Sequence, residues 1–210
     1  NKRIGNVGQA CTSNKRMIVM EDIYDEFVQA LVDIASSYTE GDPLNPGEGN
    51  EFYPLSSRDA AELLAQQLRL AVDEGANLHV GGEVTGKGAY ITPAVITDIP
   101  VGSDSYYEEF FGPVAEVYKV SSEEEAVELA NDSRYGLGGA VMSEDEERGK
   151  RVAAKIDTGM IHVNIPQARG AELPFGGVKA SGLGRELGPL GMDEFVNLQR
   201  FYVAGSDSAV

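Results

Sequence analysis

Apolar residues occur along this chain in two rhythms, short unbroken runs and stretches spaced by three and four. Met17-Ile-Val-Met20 is a run of the first kind and suits a buried strand. Ile23, Phe27, Val28, Leu31, Ile34 and Ala35 follow at helical spacing and fall on one face. Residues 41–57, GDPLNPGEGNEFYPLSS, then replace both rhythms with Gly, Pro and Asn and predict a loop. Ser56 with Asp59 three residues on marks a helix start, and Leu64, Leu68, Ala71 and Val72 carry its apolar face.

Further strands are predicted over 77–80, 90–97, 114–120, 139–142 and 160–163, with a last one over 200–203. A second helix start at Ser121 and Glu124 opens a helix through Ala130. Residues 145–156 predict another helix, with Val152, Ala153 and Ile156 facing inward. Strand and helix alternate, which predicts an α/β fold with a mainly parallel sheet flanked by helices on both faces. No internal repeat interrupts it. Residues 1–198 read as one domain and residues 199–210 as a C-terminal strand and tail whose apolar edge invites pairing with another subunit.

Size and charge narrow the function. A chain of 210 residues can bury roughly 70% of its unfolded surface in one core. It has no apolar run near the roughly 20 residues that span a bilayer, and no signal-peptide pattern. Its first residue is Asn1, so a longer parent protein is expected. A net charge of −17 repels phosphate backbones and anionic lipid, which argues against nucleic-acid and membrane partners. An anionic small substrate would need a local cation. One cysteine permits no internal disulfide and fits a reducing, cytoplasmic setting. His79 and His162 lie far apart, and no Cys/His spacing suggests a metal.

That one cysteine, Cys11, sits in the stretch GNVGQACTSNKR, a glycine-rich bend. A free cysteine is ordinarily a small buried hydrophobe, and an open bend is a poor place for one. Gly8-Gln-Ala-Cys11 resembles the nucleophile motif of the aldehyde dehydrogenase family. Glu109-Phe-Phe-Gly-Pro-Val114 matches that family's E-x-F-G-P-V. Pro174-Phe-Gly-Gly-Val-Lys-Ala-Ser-Gly182, with Gly184-Arg-Glu186, matches its P-F-G-G-x-K-x-S-G and G-R-E. Residues 159–164, GMIHVN, resemble a fourth segment, and all occur in the family's order.

The resemblance implies a catalytic domain in which Cys11 attacks an aldehyde, forms a thiohemiacetal and then a thioester, and passes a hydride to NAD or NADP. A thiolate suits this chemistry because it is both a strong nucleophile and a good leaving group. The backbone N–H of the cysteine is one oxyanion donor in the family, which requires small neighbours. Glu109 takes the position of the ribose-binding glutamate, Phe111 that of the aromatic beside the nicotinamide, and Phe175 that of a substrate-pocket wall. Lys179, Ser181, Arg185 and Glu186 read as structural, and His162 as a strand residue. The family's cofactor domain, oxyanion asparagine and general-base glutamate all precede the cysteine, so they are expected outside this chain. The resemblance also implies pairing of the C-terminal strand with another subunit in a homodimer or homotetramer.

Within the family, Gly182-Leu-Gly-Arg-Glu-Leu-Gly188 and the segment after it are most like semialdehyde members, including succinate-semialdehyde dehydrogenases. Those often carry a carboxylate-binding arginine six residues before the cysteine, where this chain has Gly5. Arg169, six residues before Phe175, is expected to supply that cation. The glycines of 182–188 are no dinucleotide loop, since they follow no strand and run into Gly188-Pro189. Two other classes stay open at this point: a cysteine hydrolase or acyl-transferase, which needs a histidine base, and a non-catalytic assembly fragment.

Overall fold

The computed structural model describes residues 3–86, 88–168 and 170–204. A tight turn, Gly5–Gly8, opens the chain, with Asn6 and Val7 in the left-handed region at φ of 51° and 53°. Past Cys11 come β1 (Arg16–Met20) and α1 (Glu21–Ser36). The predicted loop is crossed by two short parallel strands, β2 (Thr39–Glu40) and β3 (Glu51–Phe52), and leads to α2 (Arg58–Asp73). Next in order are β4 (Asn77–Val80), β5 (Ala94–Thr97), α3 (Asp104–Tyr107), β6 (Val114–Val120) and α4 (Glu123–Asn131). The remainder holds β7 (Tyr135–Gly136), β8 (Gly138–Val141), α5 (Glu146–Ala153), β9 (Met160–Val163), β10 (Val178–Lys179) and α6 (Gly188–Asp193).

The main sheet runs β1-β6-β5-β4. Its β1–β6 and β5–β6 pairs are parallel, and β4 closes one edge antiparallel to β5. A second parallel pair, β8–β9, and an antiparallel pair, β7–β10, complete the strands. The fold is therefore α/β with a mainly parallel sheet, as the alternation of elements predicts.

Side chains alternate across a strand, and β5 and β6 show how this builds two cores. Val95, Ala115 and Val117 pack with Val19, Tyr24, Val28 and Ala35, on the side of α1. Ala94, Ile96, Val114 and Tyr118 pack with Leu64, Leu68 and Ala71 of α2 on the other. Each buried leucine of α2 contributes roughly 1.5–3 kcal/mol of apolar transfer.

Several boundaries differ from the sequence reading, each for a local reason. The strand expected from residue 90 becomes regular only at Ala94, because Pro93 has no N–H to donate. Ser57 and Ser122, not Ser56 and Ser121, cap their helices by accepting from Ala60 and Glu125 amides at 3.0 and 3.1 Å. The helix expected to reach residue 156 stops at Ala153 and ends in turns. On α1, Ile23 and Ile34 face outward, as does Val72 on α2. Finally, residues 200–203 form no strand: Phe201, Tyr202 and Val203 are exposed. A strand exists only as a ladder; among the described residues none of the ladders includes 200–203, and the pairing expected for them is with another subunit.

Alternation along β6 has one costly consequence. It turns Glu116 to the same face as Val114 and Tyr118, where it is fully buried. Its Oε2 accepts from the Tyr118 hydroxyl at 3.4 Å, while among the described residues Oε1 has no hydrogen-bond partner. Burial pushes the carboxyl up to about 7, against the attraction of Arg3 and Arg16. Burial likewise lowers Arg3 to about 10, against the attraction of Glu116 and Glu109, so it stays cationic at neutral pH.

Between the ordinary carboxyl range and pH 7 the folded chain thus holds a proton that the unfolded chain has lost. Stability must fall as pH rises through that window. Urea unfolding from pH 5 to 7.5 should show a loss on the order of 3 kcal/mol, at about 1.4 kcal/mol per pH unit of displacement. Glu116→Gln should abolish that slope. A variant curve running parallel to wild type would show that Glu116 titrates normally.

Candidate active site

Cys11 lies at the tip of a turn closed by a hydrogen bond from the Ser13 amide to the Ala10 carbonyl, 3.0 Å long. The thiol is exposed, as a reacting group must be and a core cysteine is not. Behind it, the Gln9 side-chain oxygen accepts from the Ser56 amide at 2.8 Å, and the Asn6 side chain donates to the Gln9 carbonyl at 3.1 Å. These bonds tie the turn to the start of α2.

The glycines of the two motifs let their backbones touch. A Cβ on Gly8 would lie 2.0 Å from the Gly112 carbonyl oxygen, and Gly8 also has φ of +72°. A Cβ on Gly112 would in turn meet a Leu64 methyl at 2.1 Å. Only residues without side chains allow the Cys11 segment, the 109–114 segment and α2 to stack this closely.

Two cations fasten the junction. The buried Arg3 guanidinium donates to the carbonyls of Phe110 (2.6 Å), Gly112 and Val114, and to the Ser13 hydroxyl at 3.1 Å. Lys15, with its side chain 14% exposed, sets its ammonium 2.9 Å from a Glu109 carboxylate oxygen. The same ammonium donates to the carbonyls of Ala10 (3.3 Å), Cys11 (3.2 Å) and Ser13 (3.5 Å). It also stands 5.6 Å from the centre of the Phe111 ring, itself 45% exposed. The structure therefore brings Cys11, Glu109 and Phe111 into one group around Lys15.

Phe175 is fixed by other contacts. It forms an antiparallel bridge with Glu186, with amide-to-carbonyl distances of 2.7 and 2.8 Å, and is half-buried. Arg185 donates to the Gly177 and Gly184 carbonyls at 2.7 and 2.6 Å. Lys179 donates to the Asn131 carbonyl at 2.9 Å and pairs with Asp157 at 3.2 Å, and the Ser181 hydroxyl accepts from the Gly136 amide at 3.0 Å. These residues brace a loop, as expected. Gly182–Gly188 opens no long helix; α6 after it is short. Asn164, at φ of 57°, accepts from the Ser143 amide at 2.8 Å. Arg169 lies outside the described residues.

The Aldehyde dehydrogenase family model matches residues 1–201 of this chain. The chain belongs to the aldehyde dehydrogenase family. A Succinate-semialdehyde dehydrogenase [NADP(+)] of Deinococcus radiodurans is 50% identical over 196 residues, covering 93% of this chain and 41% of that protein. A chloroplastic betaine aldehyde dehydrogenase of Atriplex hortensis is 40% identical over 92% of this chain and 39% of its own length. Among solved structures, a succinic semialdehyde dehydrogenase from Streptococcus pyogenes in complex with NADP+ superposes with a TM-score of 0.90 at 47% identity, over 96% of this chain and 44% of that one. The chain thus spans about two fifths of the length of the curated relatives it matches.

Two residues of this chain escape the sequence reading: Arg3 and Lys15. For Lys15 the available signal was charge, because in a chain of net −17 a Lys15-Arg16 pair begins four residues after the sole cysteine.

The glycine contacts predict unequal costs within one turn. Gly8→Ala should destabilise the protein by at least about 2 kcal/mol, from clash and left-handed strain together. Gly5→Ala, whose Cβ would meet nothing within 4 Å, should stay within about 0.5 kcal/mol. Equal urea midpoints for the two variants would remove the close approach at Gly112 from the account.

Proposed function

We propose that this chain is the catalytic part of an NAD(P)-dependent aldehyde dehydrogenase acting on a semialdehyde, with succinate semialdehyde the best match. One observation carries the catalytic reading: the exposed Cys11 sits on a turn whose carbonyls share the Lys15 ammonium with Glu109, and the same ammonium stands over the Phe111 ring. The names of the relatives support the substrate class, two of them being succinate-semialdehyde dehydrogenases [NADP(+)] at 50% and 41% identity.

The residues present suit the nicotinamide end of such a cofactor. Glu109 is partly open to solvent, and its carboxylate keeps acceptor capacity beyond its one pair with Lys15. Ribose hydroxyls are donors that such a carboxylate takes, and the half-exposed Phe111 ring offers an apolar face nearby. When bound, the nicotinamide supplies a hydride acceptor. The Cys11 thiolate adds to the aldehyde carbon, turning it into a tetrahedral centre from which hydride can leave. The oxygen gains negative charge in that step and is met by the Cys11 N–H. Release of the acid from the Cys11 thioester needs a general base, which the family resemblance locates upstream of the cysteine. On this reading the isolated chain is inactive, and the full-length protein is a cytoplasmic homo-oligomer.

A hydrolase reading gains no support from the histidines. His79 Nε2 bonds with the Thr97 hydroxyl at 2.9 Å, and His162 Nδ1 with the Gly139 carbonyl at 3.1 Å. Neither bond involves Cys11.

In the full-length protein, Cys11→Ser should remove nearly all NAD(P)-dependent aldehyde oxidation while leaving the circular-dichroism spectrum unchanged. Turnover at the wild-type rate would end the assignment of Cys11. For substrate choice, Arg169→Ala should cost roughly 1.5–3 kcal/mol in kcat/KM for succinate semialdehyde, the range of a charge-assisted hydrogen bond. Butanal, which has no carboxylate, should lose little. Equal losses for the two aldehydes would return Arg169 to an ordinary loop role.

A further inference from the structure

Lys15 is not among the residues that the reaction just proposed requires, yet its ammonium joins Glu109 to the carbonyls of the Cys11 turn. Three N–H donors face four acceptors: one Glu109 oxygen at 2.9 Å and three carbonyls of the Cys11 turn at 3.2–3.5 Å. The shortest bond is to the carboxylate, so Glu109 supplies the counter-charge that locates the cation. The remaining donors are shared among the Ala10, Cys11 and Ser13 carbonyls.

A trans peptide unit is planar, with its C=O and N–H pointing in opposite directions. Whatever holds the Ala10 carbonyl therefore also aims the Cys11 N–H, and whatever holds the Cys11 carbonyl aims the Thr12 N–H. Lys15 holds both carbonyls, and the Ser13 amide adds a second bond to Ala10. Among the described residues the Cys11 N–H makes no backbone hydrogen bond. It is left as a free donor on the side of the turn opposite Lys15.

We propose that Lys15 is a positioning residue. Anchored by Glu109, it draws the carbonyls of the Cys11 turn to its own side and so aims the Cys11 N–H at the oxyanion that forms when Cys11 attacks a carbonyl. This inference rests on Cys11 being the nucleophile. It also means that one cation orients the oxyanion donor and the Glu109 carboxylate together.

The test compares two reactions of Cys11 in the full-length protein without cofactor. With p-nitrophenyl acetate, sulfur bonds to the acyl carbon, p-nitrophenolate leaves, and an oxyanion forms on the way. With 4,4′-dithiodipyridine, sulfur displaces a thiopyridone from sulfur and no oxyanion arises. Lys15→Met should slow acylation about ten- to a hundredfold relative to disulfide exchange, since one oxyanion donor commonly carries about a hundredfold or more. Lys15→Gln should show the same selective loss, and Lys15→Arg should retain most of the acylation rate. Equal effects on both reactions, or no effect on either, overturn the positioning role. So does failure of both uncharged variants to fold when Lys15→Arg folds, because Lys15 would then be a structural cation. Wild-type protein in which Cys11 takes up no acyl group overturns this proposal together with the assignment of Cys11 as nucleophile.

Discussion

The site hangs on a buried guanidinium. Arg3 reaches across more than a hundred residues of sequence to the carbonyls of Phe110, Gly112 and Val114, and holds the Ser13 hydroxyl as well. A buried cation must be fully hydrogen-bonded or neutralised by a partner. That requirement fixes the local chain path, because only converging carbonyls and an acidic neighbour satisfy it. The segment bearing Glu109 and Phe111 is thereby held against the segment bearing Cys11, and the missing side chains of Gly8 and Gly112 let them meet without a gap.

The acidic neighbour is Glu116, and its position follows from the period of a strand. Burying Val114 and Tyr118 against α2 carries the intervening Glu116 to the same face. Arg16 stands close by, with its guanidinium 5.0 and 5.3 Å from the rings of Tyr106 and Tyr118, and it donates to the Tyr106 hydroxyl and the Leu129 carbonyl at 3.0 Å. Two arginines and one carboxylate thus lie together, and one of the arginines bonds the Cys11 turn through Ser13. An apolar core would be easier to stabilise, but it would offer nothing to grip the loop carbonyls.

Much of this was legible in the sequence, and unevenly so. Periodicity located β1, α1, α2, β6 and β9, because burial on one or two faces leaves a regular trace. The motifs around Cys11, Glu109 and Phe175 were legible because each depends on glycines, and the latter two also on a proline, that few other settings demand. Local chemistry misplaced the caps by one residue, since neighbouring serines satisfy the same spacing and only the backbone chooses between them. Arg3 and Lys15 were illegible for a different reason. Their partners are mostly backbone carbonyls, which every residue possesses, so nothing in the partner sequence marks the contact. The segment at 200–203 stands outside the ladders of the single chain, as a strand expected to pair with another subunit would.

The exposed Cys11 is the sole thiol in this chain, and that shapes how it meets oxidants. A sulfenic acid on a cysteine with a neighbouring thiol condenses to a disulfide and is protected from further oxidation. Here the chain offers no resolving sulfur. A thiol from outside this chain, such as a small thiol capping it as a mixed disulfide, can rescue a sulfenate on Cys11. Without that, it proceeds to the sulfinic state, from which ordinary reductants do not recover it. The openness that exposes the thiol admits peroxide as well, so the redox state of the surroundings sets how long this thiol stays reduced.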